Sequence, residues 1–262
     1  MLLKDKVAVI YGAGGAIGGA VACAFASAGA RLFLTGRHLE PVEAVAKDVV
    51  TAGGSAEAAE VDALDEQAVD EHLQSVIDQA GRADISFNAI GIPTPKTRVP
   101  LVELDVEQFS LPIATYTRSY FLTARLAARR MVPNRSGVIM AVTATTSRTG
   151  VPLVGGTGPA MAAMEALTRG LSVELASHGV RVVGLRTQGM PETGRIQEVF
   201  RLSANALGMT AEQFHESIAG RTHTRRLPTL AEMTNVAVFM ASDEASSMTG
   251  TIVNLSMGSL DD

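Results

Sequence analysis

Short apolar segments alternate with longer amphipathic segments along most of this chain of 262 residues. Apolar runs of about four to eight residues are typical of buried strands, whereas the longer segments have the spacing of helices. Regular alternation of the two elements, with short polar connections, indicates a doubly wound parallel sheet. The predicted strands span residues 7–10, 31–35, 56–61, 84–88, 137–143, 180–185 and 251–255.

The segments between these strands predict helices, and the longest of them contains a proline. Pro112 has no backbone N–H, so we expect it to delay or kink the start of the helix from Val106 to Met131. The regular alternation breaks at residues 186–227, where two shorter helices are expected. The predicted helices lie after the first glycine cluster up to residue 28, and near residues 39–52, 66–80, 106–131, 159–177, 193–207, 210–219 and 230–241.

A glycine cluster follows the first predicted strand and precedes a helix of small apolar residues. Glycine permits a tight turn and a close approach of backbone N–H groups to phosphate, and a helix N-terminus adds partial positive charge. The arrangement therefore predicts a site for the pyrophosphate of a dinucleotide. A strand–turn–helix packing element without a ligand is the alternative. The predicted cofactor-binding residues of this turn are Gly12, Gly14, Gly15, Ile17 and Gly18.

Composition narrows the functional classes further. The chain is 47% hydrophobic and 19% charged, as expected for one globular domain with a large core. Its net charge of −5 argues against a nucleic-acid partner, and no apolar stretch reaches the ~18 residues of a membrane span. Cys23 is the only cysteine, expected to be a buried, inert thiol on the first helix. No metal-ligand spacing is evident, and a cytoplasmic location is expected.

Several motifs together resemble the short-chain dehydrogenase/reductase superfamily over nearly the full chain. They are the glycine turn, VDA at 61–63, NAIG at 88–91 and the tail RLPTLAE…FMASDEASSMTGT. The resemblance implies a single domain, residues 1–262, with a seven-stranded parallel sheet in the order 3-2-1-4-5-6-7 and helices on both faces. It also implies a nicotinamide cofactor, a small-molecule substrate covered by residues 186–227, and a homodimer or homotetramer.

The family's cofactor pattern TGxxxGxG falls on residues 11–18, where Tyr11 replaces Thr and Ala16 replaces Gly. By the same resemblance, other segments would contact the adenine, the ribose and the nicotinamide end. The usual Pro-Gly after the sixth strand is replaced by Thr187 and Gln188. The cofactor-binding residues carried over from these segments are Asp62, Ala63, Asn88, Ala89, Gly91, Thr187 and Gln188.

The cofactor preference depends on the end of the second strand. A carboxylate there would bind the ribose 2′-hydroxyl of NAD, whereas a guanidinium can pair with a 2′-phosphate. This chain has Arg37 and His38 and no Asp at that point. The sequence therefore predicts NADP(H) in preference to NAD(H), with a solvated Arg at a helix start as the alternative.

The resemblance fails at the catalytic positions. The family's Tyr-x-x-x-Lys pair falls on Thr157 and Met161, its Ser on Ala144 and its helix Asn on Tyr116. No Tyr or Lys occurs anywhere from residue 131 to residue 262, so a shifted alignment does not restore the pair. A threonine hydroxyl is a much weaker acid than a phenol, so Thr157 cannot replace the missing tyrosine as a proton donor.

Other side chains are candidates for the missing role. Tyr116 would approach the nicotinamide from the opposite wall, while Thr145 and Thr157 would hydrogen-bond a substrate; all three are predicted as catalytic residues. Arg186 either binds an anionic substrate group or forms an ion pair with a nearby Glu. The polar residues after the fifth strand are also candidates, as are two histidines that are either acids or solvent-exposed: Thr143, Thr146, Ser147, His215 and His223.

The sequence thus favours an NADP(H)-binding oxidoreductase with an atypical active site. Hydride transfer requires the cofactor and a substrate in register, so a small carbonyl, enone or imine is a suitable substrate class. One alternative is a catalytically inactive nucleotide-binding protein that regulates or scaffolds a partner. A second is non-redox chemistry, such as isomerisation or elimination, on the same fold.

Overall fold

The computed structural model describes residues 1–93 and 95–261. Within them, seven strands form one parallel sheet in the order β3-β2-β1-β4-β5-β6-β7, which confirms the predicted fold class. The longest pairing joins β5 to β6, from Gly137 opposite Val180 to Ala144 opposite Thr187. The strands are β1 Val7–Tyr11, β2 Arg31–Gly36, β3 Ser55–Glu60, β4 Ile85–Asn88, β5 Gly137–Ala144, β6 Val180–Thr187 and β7 Ile252–Leu255.

Helices cover both faces of the sheet, so the five central strands are mostly buried, whereas the edge strands β3 and β7 are partly exposed. One apolar cluster joins the sheet to α1, α2 and α8, and two others join it to α3, α4 and α5. The helices α6 and α7 pack on each other at the carboxyl end of the sheet. The helices are α1 Ala16–Ser27, α2 Leu39–Thr51, α3 Glu66–Ala80, α4 Val106–Met131, α5 Thr157–Leu175, α6 Gly194–Ala206, α7 Ala211–Ala219 and α8 Leu230–Ala241.

The start of α4 corrects one expectation. The helix begins at Val106 despite the proline in its second turn, so Pro112 does not delay it. The carboxylate of Asp105 accepts hydrogen bonds from the N–H groups of Glu107 and Gln108, which satisfies donors that have no partner inside the helix. Pro112 is buried, so its packing offsets the one hydrogen bond that its ring removes.

Cys23 corrects a second expectation, because it is exposed. The buried residues of α1 are Gly18, Val21, Ala22 and Phe25, which lie on one side of the helix. Cys23 lies between Ala22 and Phe25 in the sequence but on the other side of the helix, about 100° round the axis from Ala22, so it points towards solvent. Separately, none of the helices in the described part of the chain is both long and apolar enough to cross a membrane.

Tyr11, which replaces the family's threonine, does not enter the glycine turn. Its ring is fully buried with Val9 and Phe33 in the cluster under α3 and α4, on the opposite face of the sheet from α1. Burial raises the pKa of the Tyr11 phenol, although the charge of Arg130 lowers it in part. The Tyr11 hydroxyl is buried without a hydrogen-bond partner in the described residues. The unpaired hydroxyl therefore costs stability, while the buried ring stays out of the turn.

We predict that Tyr11→Phe stabilises the protein. Removing a buried hydroxyl that has no partner should raise the free energy of unfolding by about 1 kcal/mol. Urea denaturation followed by circular dichroism measures this change. Tyr120→Phe is the matched control, because the Tyr120 hydroxyl is also buried but lies 2.9 Å from the Thr168 hydroxyl, and its loss should destabilise. A loss of stability in Tyr11→Phe would contradict the interpretation.

Candidate functional site

A cleft of about 820 Å³ runs across the carboxyl ends of the strands. One end is formed by the turn after β1 and by the ends of β2 and β3, and the other by α4, α6 and α7. In parallel sheets with helices on both faces, ligands bind at this edge because the strand order reverses there. The cleft is therefore the candidate functional site.

Close backbone packing in the turn after β1 requires glycine at two positions. Gly12 has φ +78°, and a Cβ on it would lie 2.9 Å from the carbonyl oxygen of Ala89. A Cβ on Gly18 would lie 2.3 Å from the carbonyl oxygen of Gly12, so only glycine allows α1 to pack this closely. The helix α1 has no side-chain cap after Gly15 and no acidic residue in its first turn. Its N-terminus is therefore suited to a bound anion.

At the end of the cleft formed by β2 and β3, the side chain that follows β2 is basic rather than acidic. Arg37 and His38 line the cleft immediately after β2, and Asp62 and Ala63 line it after β3. The Asp62 carboxylate accepts the N–H of Leu64 at 2.9 Å, which shapes the loop. Arg37 is exposed and forms no ion pair within residues 1–93 and 95–261. Its charge is thus available to an anionic group of a ligand.

The structure brings most of the predicted site residues together. Those that line the cleft are Gly12, Gly14, Gly15, Ile17, Arg37, His38, Asp62, Ala63, Ala89, Gly91, Tyr116, Thr145, Thr157, Thr187 and Gln188. Gly18 lies beneath the turn, and Asn88 lies behind the wall. The Asn88 amide donates to Thr123 at 3.1 Å and accepts the N–H of Ile90 at 3.2 Å, so it holds β4 to α4.

Tyr116 lies at the inner part of the cleft and is 7% exposed. Its phenol oxygen accepts a hydrogen bond from Nη2 of Arg195 on α6 at 3.2 Å and another from the N–H of Ile92 at 3.4 Å. Both contacts use the oxygen as an acceptor. The hydroxyl proton of Tyr116 is therefore not engaged by either of them and can be donated to a ligand.

The residues of α5 that line the cleft have no acidic side chain. Thr157 begins the helix and Met161 follows one turn later, and both line the cleft. On the adjoining strand ends, the Thr145 hydroxyl donates to the Gln188 amide oxygen at 3.2 Å, and Gln188 donates to Ser259 at 3.0 Å. These hydrogen bonds connect the ends of β5 and β6 to the C-terminal segment.

A buried ion pair lies behind the same wall. Arg186 at the end of β6 donates from Nε and Nη2 to the two carboxylate oxygens of Glu165 on α5, both at 2.8 Å, and each side chain is about 2% exposed. The Glu165 carboxylate also accepts from Thr143 at 3.0 Å and from Ser147 at 2.6 Å. The structure thus resolves the two alternatives for Arg186 in favour of an ion pair. Glu165 itself was not among the predicted residues.

Opposing effects act on the Glu165 carboxyl. Burial by itself raises its pKa, but hydrogen bonds from Arg186, Ser147 and Thr143 and the charge of Arg186 outweigh it. The pKa of Glu165 consequently lies below its usual value. The side chain is therefore held as a carboxylate, and its contacts fix α5 against the ends of β5 and β6.

We predict that Glu165→Gln destabilises the protein by about 3 kcal/mol, because it removes the negative charge beside a buried guanidinium. Chemical denaturation measures the loss. Glu174→Gln, at an exposed position on the same helix, is the control and should change stability by less than about 0.5 kcal/mol. Equal stability of the two variants would show that the buried pair contributes no stabilisation.

The sequence predicted only some of the charged side chains that line the cleft. Arg98, Arg195 and Arg221 line the inner half of the cleft, which is the half near α4, α6 and α7. Asp62 is the one carboxylate among the lining residues in the described part of the chain. Neither His215 nor His223 is among them. Within residues 1–93 and 95–261, the His, Cys, Asp and Glu side chains form no group of three that could hold a metal ion.

Comparison with known proteins defines the family. Residues 12–259 match the family described as enoyl-(acyl carrier protein) reductase. The chain is 31% identical over 248 residues to the uncharacterized oxidoreductase YxbG of Bacillus subtilis (strain 168), covering 95% of this chain and 88% of that protein. The chain belongs to the short-chain dehydrogenase/reductase superfamily.

A second relative agrees with this assignment, and a solved structure agrees with the fold. The 7alpha-hydroxysteroid dehydrogenase of Escherichia coli (strain K12) is 27% identical over 263 residues, covering 98% of this short-chain dehydrogenase/reductase and 94% of the relative. The crystal structure of sorbitol-6-phosphate 2-dehydrogenase from Erwinia amylovora superposes with a TM-score of 0.91 at 24% identity, covering 97% of this chain and 100% of that one, and supports the fold alone. The two sequence relatives support an oxidoreductase and do not favour the catalytically inactive alternative.

Proposed function

We propose that the protein is an NADP(H)-dependent oxidoreductase that transfers a hydride to or from a small carbonyl, enone or imine. The observation that carries the proposal is the position of Tyr116. Its phenol lies in the same cleft as a turn shaped for a dinucleotide, on α4, which packs beside the α5 helix of Thr157 and Met161. The reaction would thus proceed without the Tyr–Lys pair that the family places on α5.

The cofactor-binding half fits a dinucleotide. The glycine turn and the N-terminus of α1 would hold the pyrophosphate, Asp62 and Ala63 the adenine, and Ala89 and Gly91 the adjacent ribose. The nicotinamide would supply or accept the hydride. Thr187 and Gln188 line the cleft at the end of β6 and would orient the nicotinamide end of the cofactor.

Arg37 supports NADP(H) as the preferred form. A guanidinium pairs well with phosphate, and Arg37 is exposed at the adenine end of the cleft, without an ion-pair partner in the described residues. A ribose 2′-hydroxyl is best bound by a carboxylate at this position, and no Asp or Glu follows β2 directly.

We predict that Arg37→Ala weakens NADPH binding by about tenfold or more, because a charge-assisted contact to the 2′-phosphate is lost. Its effect on NADH should be small. Isothermal titration of both cofactors measures the two affinities, and Arg129→Ala, at an exposed position on α4, is the control. Equal losses for NADPH and NADH would refute recognition of the 2′-phosphate, and no binding of either would refute the cofactor assignment.

Tyr116 is the proposed proton donor for reduction of a carbonyl. Arg195 and the N–H of Ile92 hold its oxygen in place, and the guanidinium offsets the negative charge that develops there as the proton leaves. Thr145 and Thr157 would orient the substrate through their hydroxyl groups, in keeping with their position in the cleft wall.

We predict that Tyr116→Phe lowers kcat by about 10²–10⁴-fold while NADPH affinity stays unchanged, because the substitution removes one proton donor. Absorbance of the nicotinamide, followed over a panel of carbonyl, enone and imine compounds, measures turnover. Tyr120→Phe is the control, since that phenol does not line the cleft. Unchanged turnover in Tyr116→Phe would exclude this residue from the mechanism. NADPH binding without any turnover of the wild-type protein would favour a regulatory role.

The surrounding elements have proposed roles as well. Residues 186–227 would cover the substrate, which agrees with the side chains of α6 and α7 that line the cleft. A homodimer or homotetramer is supported by exposed apolar side chains on α4 and α5, which pack beside each other. These include Phe121 and Val173, of which Val173 is 83% exposed. A cytoplasmic enzyme without membrane or nucleic-acid partners remains our expectation.

A further inference from the structure

The inner half of the cleft has a charge opposite to that of the whole chain. The chain has a net charge of −5, yet the charged side chains that line this half are Arg98, Arg195 and Arg221. The carboxylate among the lining residues, Asp62, lies at the adenine end. Arginines concentrated in a cleft attract anions, and these three lie on other elements than Arg37, which lines the cleft after β2.

Arg98 is partly buried, and not all of its hydrogen-bond donors have a partner. Its Nη1 donates to the carbonyl oxygen of Leu153 at 2.7 Å, which directs the guanidinium along the loop that precedes α5. Its Nε is buried and has no hydrogen-bond partner in the described residues. Burial lowers the pKa of Arg98, and the positive charge of Arg195 lowers it further, so the two guanidinium groups interact unfavourably.

Arg195 completes the pair from α6. Its Nη1 lies 2.8 Å from the point that a Cβ on Gly91 would occupy, so the guanidinium lies against the loop after β4. Neither Arg98 nor Arg195 forms an ion pair with a carboxylate in residues 1–93 and 95–261. Two like charges held together in a cleft destabilise each other, and a bound anion between them would remove that cost.

The space beside these arginines is apolar. It lies between α6, α7 and the loop at 150–154, and the Phe200 and Phe214 rings pack edge to face with centroids 5.5 Å apart. A ligand that fits this space has an apolar body. The apolar residues that line this space include Val151, Val154, Val199, Phe200, Phe214 and Ile218.

We propose that Arg98 and Arg195 form a subsite for the carboxylate of a substrate whose apolar body lies between α6, α7 and the loop at 150–154. The inference deepens the proposed function, since it names the substrate class of that site. The reaction of such a substrate rests on the proposed function, whereas its binding does not. The other source of an anion in the cleft is the pyrophosphate of the cofactor. The glycine turn already serves that group, and Arg98 is held by Leu153 on the substrate side.

Octanoate and octanamide are suitable probes because they share shape and length and differ in charge. Isothermal titration of the NADPH-saturated protein should show tighter binding of octanoate, and the difference should shrink as salt concentration rises. We predict that Arg98→Gln weakens octanoate by about tenfold and leaves octanamide nearly unchanged. Arg98→Lys, which keeps the charge, should retain most of the affinity. Arg169→Gln, at an exposed position on α5, should have no effect.

Equal affinities for the two probes would overturn the proposal, and so would an equal loss for both in Arg98→Gln. A loss of NADPH affinity in Arg98→Gln with unchanged octanoate binding would also overturn it, since the anion would then belong to the cofactor. No turnover is measured in this experiment. Failure of the proposed reaction would therefore leave a difference between octanoate and octanamide in place, and the two outcomes can be told apart.

Discussion

The buried carboxylate of Glu165 is the interaction on which the shape of the cleft depends. It joins α5 to Arg186 of β6, to Thr143 of β5 and to Ser147 in the turn that follows. A charge removed from water is tolerated only where such contacts replace its hydration, so these four elements are held in one arrangement. Because β5 and β6 pair along their whole length, the constraint extends through the centre of the sheet. The wall that carries Thr157 and Met161 is thereby fixed in position.

The two halves of the cleft derive from different physical features of the same sheet edge. In the half near α1, the glycine turn and the N-terminus of α1 present backbone N–H groups suited to an anion, with no acidic residue in the first turn of the helix. In the inner half, long arginine side chains from separate loops and helices provide the positive charge. The first arrangement suits a group common to all dinucleotides. The second depends on single side chains and is therefore the part that would distinguish one substrate from another.

Local signals explain why the element boundaries were predictable. The helices α3, α4 and α8 begin where expected because Asp65, Asp105 and Thr229 cap them, the last in a reciprocal pair with Glu232. The strand order came from the family resemblance, since periodicity alone does not say which strands pair. The face of the sheet on which the Tyr11 ring lies, and the exposure of Cys23, depend on which face of each element the core covers. Glu165 and Arg186, separated by 21 residues, meet only through the crossover from α5 to β6.

The proposed proton donor and its cationic partner lie on two different helices. A Tyr-x-x-x-Lys pair lies within one helix, so secondary structure alone sets the spacing of its two side chains. Here the phenol of Tyr116 is on α4 and its cationic partner Arg195 is on α6, 79 residues away. Their contact therefore exists only while α6 lies at the cleft, where its Phe200 ring packs on Phe214 of α7. Because the same two rings border the apolar space, a substrate that fills it would contact the packing that holds Arg195 against Tyr116.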